Sequence, residues 1–285
     1  MKKVDTIMAE KYSVLMSVYY KEKPQYLKLA IQSMLDQTVA PDEFIIVKDG
    51  PLTDELDAII NDFIKEYPAL FTIICNETNL GLGPALRKGV ETAKNELIAR
   101  MDSDDYAVPD RCEKQLKIFM KDPQLGMVGT FEAEFINEIK NVVSVHRVPE
   151  ENAAIKNFMR RRCAVLHPTV LFKKSEVIRA GNYQESSVFA VYEDYDLFAR
   201  MIFDAKVKCY NIQETLYYIR ISKDFYERRG GVAYAKTVLR FKWHLFRKGD
   251  MSFVDFCVSG LGQAFVCVLP NKLRKLFYMN FLRGE

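Results

Sequence analysis

Four times in its first 120 residues the chain passes from a short apolar run to a segment of helical spacing, with only brief connections between them. The runs are Tyr12–Val18, Glu43–Lys48, Phe71–Cys75 and Leu97–Met101. Behind the first, Leu27, Ala30, Ile31, Met34 and Leu35 share one helical face. Behind the second, Leu56, Ile59, Ile60, Phe63 and Tyr67 do the same. Thr53 is placed to cap that helix, and Asp54 and Glu55 fill its first turn, where carboxylates favour the dipole. A helix over 85–94 follows the third run. After the fourth, Cys112, Leu116, Phe119 and Met120 form a stripe behind Pro109. Alternation of this kind predicts a mostly parallel sheet with helices on both faces. The later half is less regular. Strands are expected at 127–130, 141–147 and 169–172, and helices at 153–159, 193–203 and 232–248, the last ended by Gly249.

Carboxylates gather where such a sheet binds ligands, beyond the carboxyl ends of its strands. Asp49 closes the second run, and Asp102, Asp104 and Asp105 follow the fourth. One Asp after a strand is an ordinary turn residue; three within four positions are poorly explained that way. They fit a hard divalent cation with a phosphate-bearing ligand. Ser103 points away between Asp102 and Asp104, so these two converge if the backbone stays extended. Asp49 fits a contact to a nucleobase or ribose and an Asp-Gly turn equally well. Gly81, Gly83 and Pro84 precede a helix carrying Arg87 and Lys88, whose start could face phosphate. Neither a Walker loop nor a dinucleotide fingerprint is present. For a general base the candidates are His146, His167 and the pair Glu193-Asp194, of which Asp194 is preferred over a plain helix cap. Arg220, Lys223, Arg228 and Arg229 lead into Gly230-Gly231, a basic segment able to close over a diphosphate. Arg160-Arg161-Arg162 is a second basic cluster, with a solvated helix end as its plainer reading.

A formal net charge of only +3 argues against a general nucleic-acid binder. The basic excess sits in residues 241–285, which hold seven Lys/Arg against three Asp/Glu beside a long apolar stretch. Asp255, Ser259, Gly260, Gly262 and Gln263 interrupt that stretch, so an interfacial helix or hairpin on an anionic membrane is expected rather than a simple span. The alternative is that the tail folds back onto the domain. Six scattered cysteines without CxxC spacing and three histidines disfavour a zinc cluster and fit reduced core thiols. Asp5, Glu10 and Lys11 break any signal-peptide core, which places the expected site of action in the cytoplasm.

In order and spacing, Ser13-Val-Leu-Met-Ser-Val-Tyr-Tyr20, Val47-Lys-Asp-Gly-Pro-Leu-Thr-Asp54, Asn79-Leu-Gly-Leu-Gly83, Ala99-Arg-Met-Asp-Ser-Asp-Asp105, His167-Pro-Thr-Val170, Glu193-Asp-Tyr-Asp-Leu197 and Lys223-Asp-Phe-Tyr-Glu-Arg-Arg-Gly-Gly231 resemble inverting family 2 glycosyltransferases of the GT-A fold. Within them the chain is most similar to the galactosyltransferase type of amylovoran synthesis. The resemblance implies a catalytic domain over 1–231, with a nucleotide-binding half at 12–110 and an acceptor-side half at 111–231. By its basic excess and apolar stretch, a helical, membrane-associating tail at 232–285 beyond the resemblance would hold it on the cytoplasmic face of the inner membrane. The resemblance implies that Ser17, Val18, Tyr19 and Asp49 hold the uridine of a UDP-sugar. Asp102 and Asp104 would bind Mn²⁺ or Mg²⁺, Asp194 would be the base, and His167 would line the site. Gly81, Arg87, Arg228 and Arg229 are the further donor-side candidates, from the helix start and the basic segment themselves. The implied acceptor is a saccharide on polyprenyl diphosphate, and galactose is the favoured sugar. Where the wider family often has an acidic residue, this chain has Lys48, as the narrower group does. The Gln-x-x-Arg-Trp element of processive synthases is missing, which implies one sugar per encounter. Two rival readings are a sugar-phosphate nucleotidylyltransferase and a non-catalytic nucleotide-sugar-binding adaptor.

Overall fold

The computed structural model describes residues 10–185, 189, 191–221, 230–271 and 273–274. Strand β1 (Tyr12–Val18) lies at the centre of a parallel set with β2 (Glu43–Lys48), β3 (Phe71–Cys75) and β4 (Leu97–Met101), in the order β3-β2-β1-β4. Their buried, nearly uninterrupted apolar runs are what a doubly covered parallel sheet demands. Between them run α1 (Pro24–Leu35), α2 (Asp54–Glu66) and α3 (Leu82–Thr92). Pro24 opens α1, and the Thr53 hydroxyl accepts the Leu56 amide at the start of α2, with Asp54, Glu55 and Asp57 in its first turn. Helix α3 approaches β1 so closely that a Cβ at Gly89 would lie 2.1 Å from a Leu15 methyl.

The second half extends this sheet and mixes its directions. After a two-residue strand, β5 (Tyr106–Ala107), and α4 (Arg111–Lys121) come β6 (Leu125–Phe135), β7 (Val142–His146) and α5 (Asn152–Phe158). A short 3₁₀ turn at His167–Thr169 leads into β8 (Leu171–Lys173) and α6 (Lys174–Arg179). β8 is antiparallel to both β4 and β6, and so joins the two halves. α7 (Glu193–Ala199) runs into a π-helical turn, Arg200–Asp204, and then β9 (Lys208–Arg220), which pairs with β6 and β5. The long β9 lies in a stretch where sequence pattern predicts nothing, because Asn211, Gln213 and Glu214 break the alternation of Lys208–Arg220.

Two apolar clusters fill the two faces of the sheet. Helix α8 (Val232–Lys248) ends at Gly249, in the left-handed region at φ +82°. It is followed by α9 (Phe253–Asp255), a π-helical turn at Phe256–Leu261, and α10 (Gly262–Val268). Val238, Phe241, Leu245, Ala264 and Cys267 join the same core as α3 and α7, so this part of the tail is packed on the sheet domain. Among the described residues, no helix is long and apolar enough to cross a membrane. All six cysteines are free thiols, three of them buried.

Candidate active site

The parallel register sets the ends of β1, β2 and β4 side by side. Met16 faces Met101, and Val18 faces Lys48. Ser17, Val18, Tyr19, Asp49 and Asp102 therefore share one edge, the edge where an open α/β sheet takes its ligand. Tyr19 is exposed there, and the Asp49 amide donates to the Val18 carbonyl. The Asp49 carboxylate is buried and strongly engaged. One oxygen accepts from the Asn76 amide side chain and the Leu80 N–H, both at 2.9 Å; the other accepts from the Gly81 N–H at 2.9 Å. Gly50, at φ +89°, has no room for a side chain, since a Cβ would lie 2.8 Å from the Asn79 nitrogen. Asp49 thus fixes the 76–81 loop at the entry to α3.

At the end of β4 the acidic run divides. Asp102 forms an ion pair at 2.5 Å with Arg100, whose guanidinium is wholly buried below the edge, and its N–H donates to the Tyr217 hydroxyl. Asp105 is buried and accepts the Arg220 N–H at 2.7 Å. Arg220 also donates Nε to the Asp104 carbonyl and Nη1 to the Asn137 carbonyl, and stacks on Tyr26 with its guanidinium 3.9 Å from the ring centre. The Asp104 carboxyl is pushed above its ordinary range by burial, then by Asp102 and Glu22. Gathered like charge with hard oxygen donors is the chemistry that a divalent cation satisfies. Among the described residues, no group of three or more His, Cys, Asp or Glu is arranged to hold a metal alone. A cation here would need ligands from the substrate as well.

A cleft of about 710 Å³ opens beside Asp102 and Arg100 and runs under α7 to the C-terminal helices. His146, His167, Glu193 and Asp194 line it, so the structure brings all four general-base candidates together with Asp102. His167 is buried against Tyr183, with Nε2 2.7 Å from the hydroxyl, and burial plus Arg100 hold its pKa well below the ordinary histidine range. It is a neutral wall residue at physiological pH. Asp194 accepts the Tyr195 N–H at 2.6 Å, and its pKa is pushed up to about 6 by burial and the neighbouring Glu193. Glu193 keeps one buried carboxylate oxygen without a hydrogen-bond partner.

Arg87 points elsewhere. It donates to the Gly181 and Tyr183 carbonyls and pairs with Glu91 and Glu185, fixing the approach to α7. Gly81 contributes through its amide to Asp49. Arg228 and Arg229 lie outside the described residues.

Three residues of the site escape the sequence reading. Arg100 sits in the apolar run Leu97–Met101, where a charge should have signalled a buried partner. Glu132 lines the cleft and binds His146 Nδ1 at 2.8 Å. Lys242 lies on the buried stripe of α8 and donates to the Tyr195 hydroxyl and the Arg161 carbonyl.

The fold and this edge define a nucleotide-sugar transferase architecture. Residues 13–179 match the profile of Glycosyl transferase family 2, and the chain belongs to that family. It is a glycosyltransferase, which sets aside the nucleotidylyltransferase and adaptor readings. It is 34% identical to the UDP-Gal:alpha-D-GlcNAc-diphosphoundecaprenol beta-1,3-galactosyltransferase of Escherichia coli, covering 96% of this chain and 97% of that one. It is 32% identical to the amylovoran biosynthesis glycosyltransferase AmsE of Erwinia amylovora, over 96% and 100%. The amylovoran type is therefore one of several similar relatives rather than a special match. Among solved structures, the mannosyltransferase PcManGT from Pyrobaculum calidifontis, in complex with GDP-Man and Mn²⁺, shares the fold at TM-score 0.60 and 14% identity, over 93% of this chain and 71% of that one.

Proposed function

We propose that this enzyme transfers a hexose, with galactose favoured, from a UDP-sugar to a saccharide on polyprenyl diphosphate in exopolysaccharide, capsule or O-antigen assembly. The reading draws on the activity named for the E. coli relative. The observation that carries it is Asp194, a carboxyl poised near pH 6 in the cleft that Asp102 also lines. Asp194 takes the proton of the acceptor hydroxyl as that oxygen attacks the anomeric carbon. The bond from that carbon to the diphosphate breaks, and UDP leaves with the electron pair. A single displacement inverts the centre, so an α-linked UDP-hexose gives a β-linked product. Asp104 and Asp102 would hold Mn²⁺ or Mg²⁺, which when bound supplies Lewis-acid stabilisation of the leaving diphosphate. Ser17, Val18 and Tyr19 offer the strand edge to the uridine, and Asp49 keeps the adjoining loop in place.

The C-terminal helices give the second part of the proposal. Phe253, Val254, Val258, Leu261, Phe265 and Val268 are each about half or more exposed. At helical spacing they make one apolar face, suited to the inner leaflet on the cytoplasmic side. The domain division at 231–232 is kept as a functional one, transfer before it and surface attachment after it. The test is to incubate the enzyme with UDP-galactose, UDP-glucose and UDP-N-acetylglucosamine and a lipid-diphosphate sugar, and to read the product by NMR. A β-linkage from one donor is expected. An α-linkage would refute the mechanism, and no transfer from any UDP-sugar would refute the donor class.

A further inference from the structure

Strand β6 is buried along its whole length, yet it carries two carboxylates two residues apart and therefore on one face, Glu132 and Glu134. The antiparallel register sets His146 of β7 opposite Glu132, and Ser144 opposite Glu134. The His146 ring lies between the two acids. Its Nδ1 is 2.8 Å from Glu132 Oε1, and its Nε2 is 3.4 Å from Glu134 Oε1. A carboxylate can only accept, so the hydrogen shared with Glu132 sits on Nδ1. The Ser144 hydroxyl donates to the second Glu134 oxygen at 2.8 Å. Glu134 therefore has a polar neighbour at each oxygen. Glu132 differs: its Oε2 is buried and has no hydrogen-bond partner among the described residues.

A buried carboxylate oxygen left open is rare in a folded protein, because the group gives up its water and gains no bond in return. Glu132 and His146 both line the 710 Å³ cleft, as Asp194 does. A shared neighbour links the two carboxylates. The Cys163 thiol lines the same cleft; burial pushes its pKa up first, and Asp194 and then Glu132 add to the rise. Both acids thus stand within electrostatic reach of one sulfur. A saccharide that gives one hydroxyl to Asp194 carries others on the same ring, and a fixed carboxylate with spare lone pairs is the group that accepts them. Such a residue also discriminates. A sugar lacking the matching hydroxyl would leave the buried acceptor unpaired, which is the strongest basis for rejecting a near-identical substrate.

We propose that Glu132, held in place by His146, accepts a non-reacting hydroxyl of the acceptor saccharide and so selects the sugar presented to Asp194. This rests on the acceptor class given above, and its test is independent of turnover. Full-length wild type, Glu132→Gln and Glu132→Asp would be titrated by calorimetry with a short-chain alkyl diphosphate of N-acetylglucosamine and with its monodeoxy analogues. Gln keeps the shape of the side chain; Asp keeps the charge and withdraws it by one methylene. Both variants should bind the parent probe at least roughly tenfold more weakly, the scale of one hydrogen bond to a charged group. One monodeoxy analogue should bind the wild type more weakly by a similar factor, and neither variant should distinguish that analogue from the parent. UDP affinity, measured alongside, should not change. Parent affinity equal in wild type and variants would overturn the proposal. So would a loss of the same size on the parent and on every analogue, which would leave Glu132 a structural residue of the β6–β7 pair. A wild type that binds UDP but none of the probes would refute the acceptor class, and this proposal with it.

Discussion

Asp194 and Asp104 are both carboxyls with raised affinity for protons, yet they serve different ends. At Asp194 the shift suits a base, since a carboxylate with pKa about 6 takes a proton more readily than an ordinary one. Replacing it by Asn should lower kcat by about 10²- to 10⁴-fold, the usual worth of a general base, and leave UDP affinity nearly unchanged. The wild-type kcat should rise with pH and level off above about 6. A limb near the ordinary aspartate range would place the base elsewhere. The same shift has a stability consequence of defined sign. Between the unfolded value of 3.8 and about 6 the native state binds more protons, so Asp194 withdraws stability as pH rises through that window. Urea titrations of wild type and Asp194→Asn should diverge there. At Asp104 the cause is burial first, then crowding by Asp102 and Glu22. Asp104→Asn should abolish most of the Mn²⁺- or Mg²⁺-dependent gain in UDP binding by calorimetry, and unchanged affinity with the cation would reject its role.

At the level of elements, the legible part of the fold was the part built from repetition. Glu43–Lys48 and Leu97–Met101 are dense apolar runs, and their ends place Asp49 and Asp102 on one edge of a parallel sheet, as the register bears out. Thr53 and Gly249 announced a helix start and a helix stop through chemistry that few other positions need. β9 was hidden because its buried Asn211 and Tyr217 serve partners in other elements: Asn211 donates to the Pro149 and Ala164 carbonyls, and Tyr217 receives the Asp102 amide. No local pattern contains such partners. Arg87 was misleading for the same reason, since its targets at Gly181 and Tyr183 are more than ninety residues away. The end of β9 supplies a testable clamp. Arg220 holds Asp104 and Asn137 by their carbonyls, so Arg220→Ala should cost about 1–3 kcal/mol in urea unfolding and weaken cation-dependent UDP binding as the acidic loop loosens.

For the molecule as a whole, the tail presents opposite faces. Val238, Phe241, Leu245, Ala264 and Cys267 are buried against the sheet domain, whereas Phe253 and Val254 are 61% and 62% exposed. The proposed attachment would therefore fall to side chains that lie largely in the open, Phe253 keeping a ring contact at 5.8 Å with Phe246. Phe253→Ser with Val254→Ser should reduce co-sedimentation with anionic vesicles and leave UDP affinity in place. Equal sedimentation would return this face to some other role. The continuity of the apolar face with the cleft mouth, through Val258 and Phe265, has a kinetic consequence. On the proposed attachment and acceptor, the entrance would open at the bilayer and the enzyme would meet its acceptor by lateral diffusion in two dimensions. Its velocity should then follow the mole fraction of acceptor in the membrane rather than its amount per litre, and diluting the acceptor with inert lipid should slow the reaction even when both total quantities are held constant.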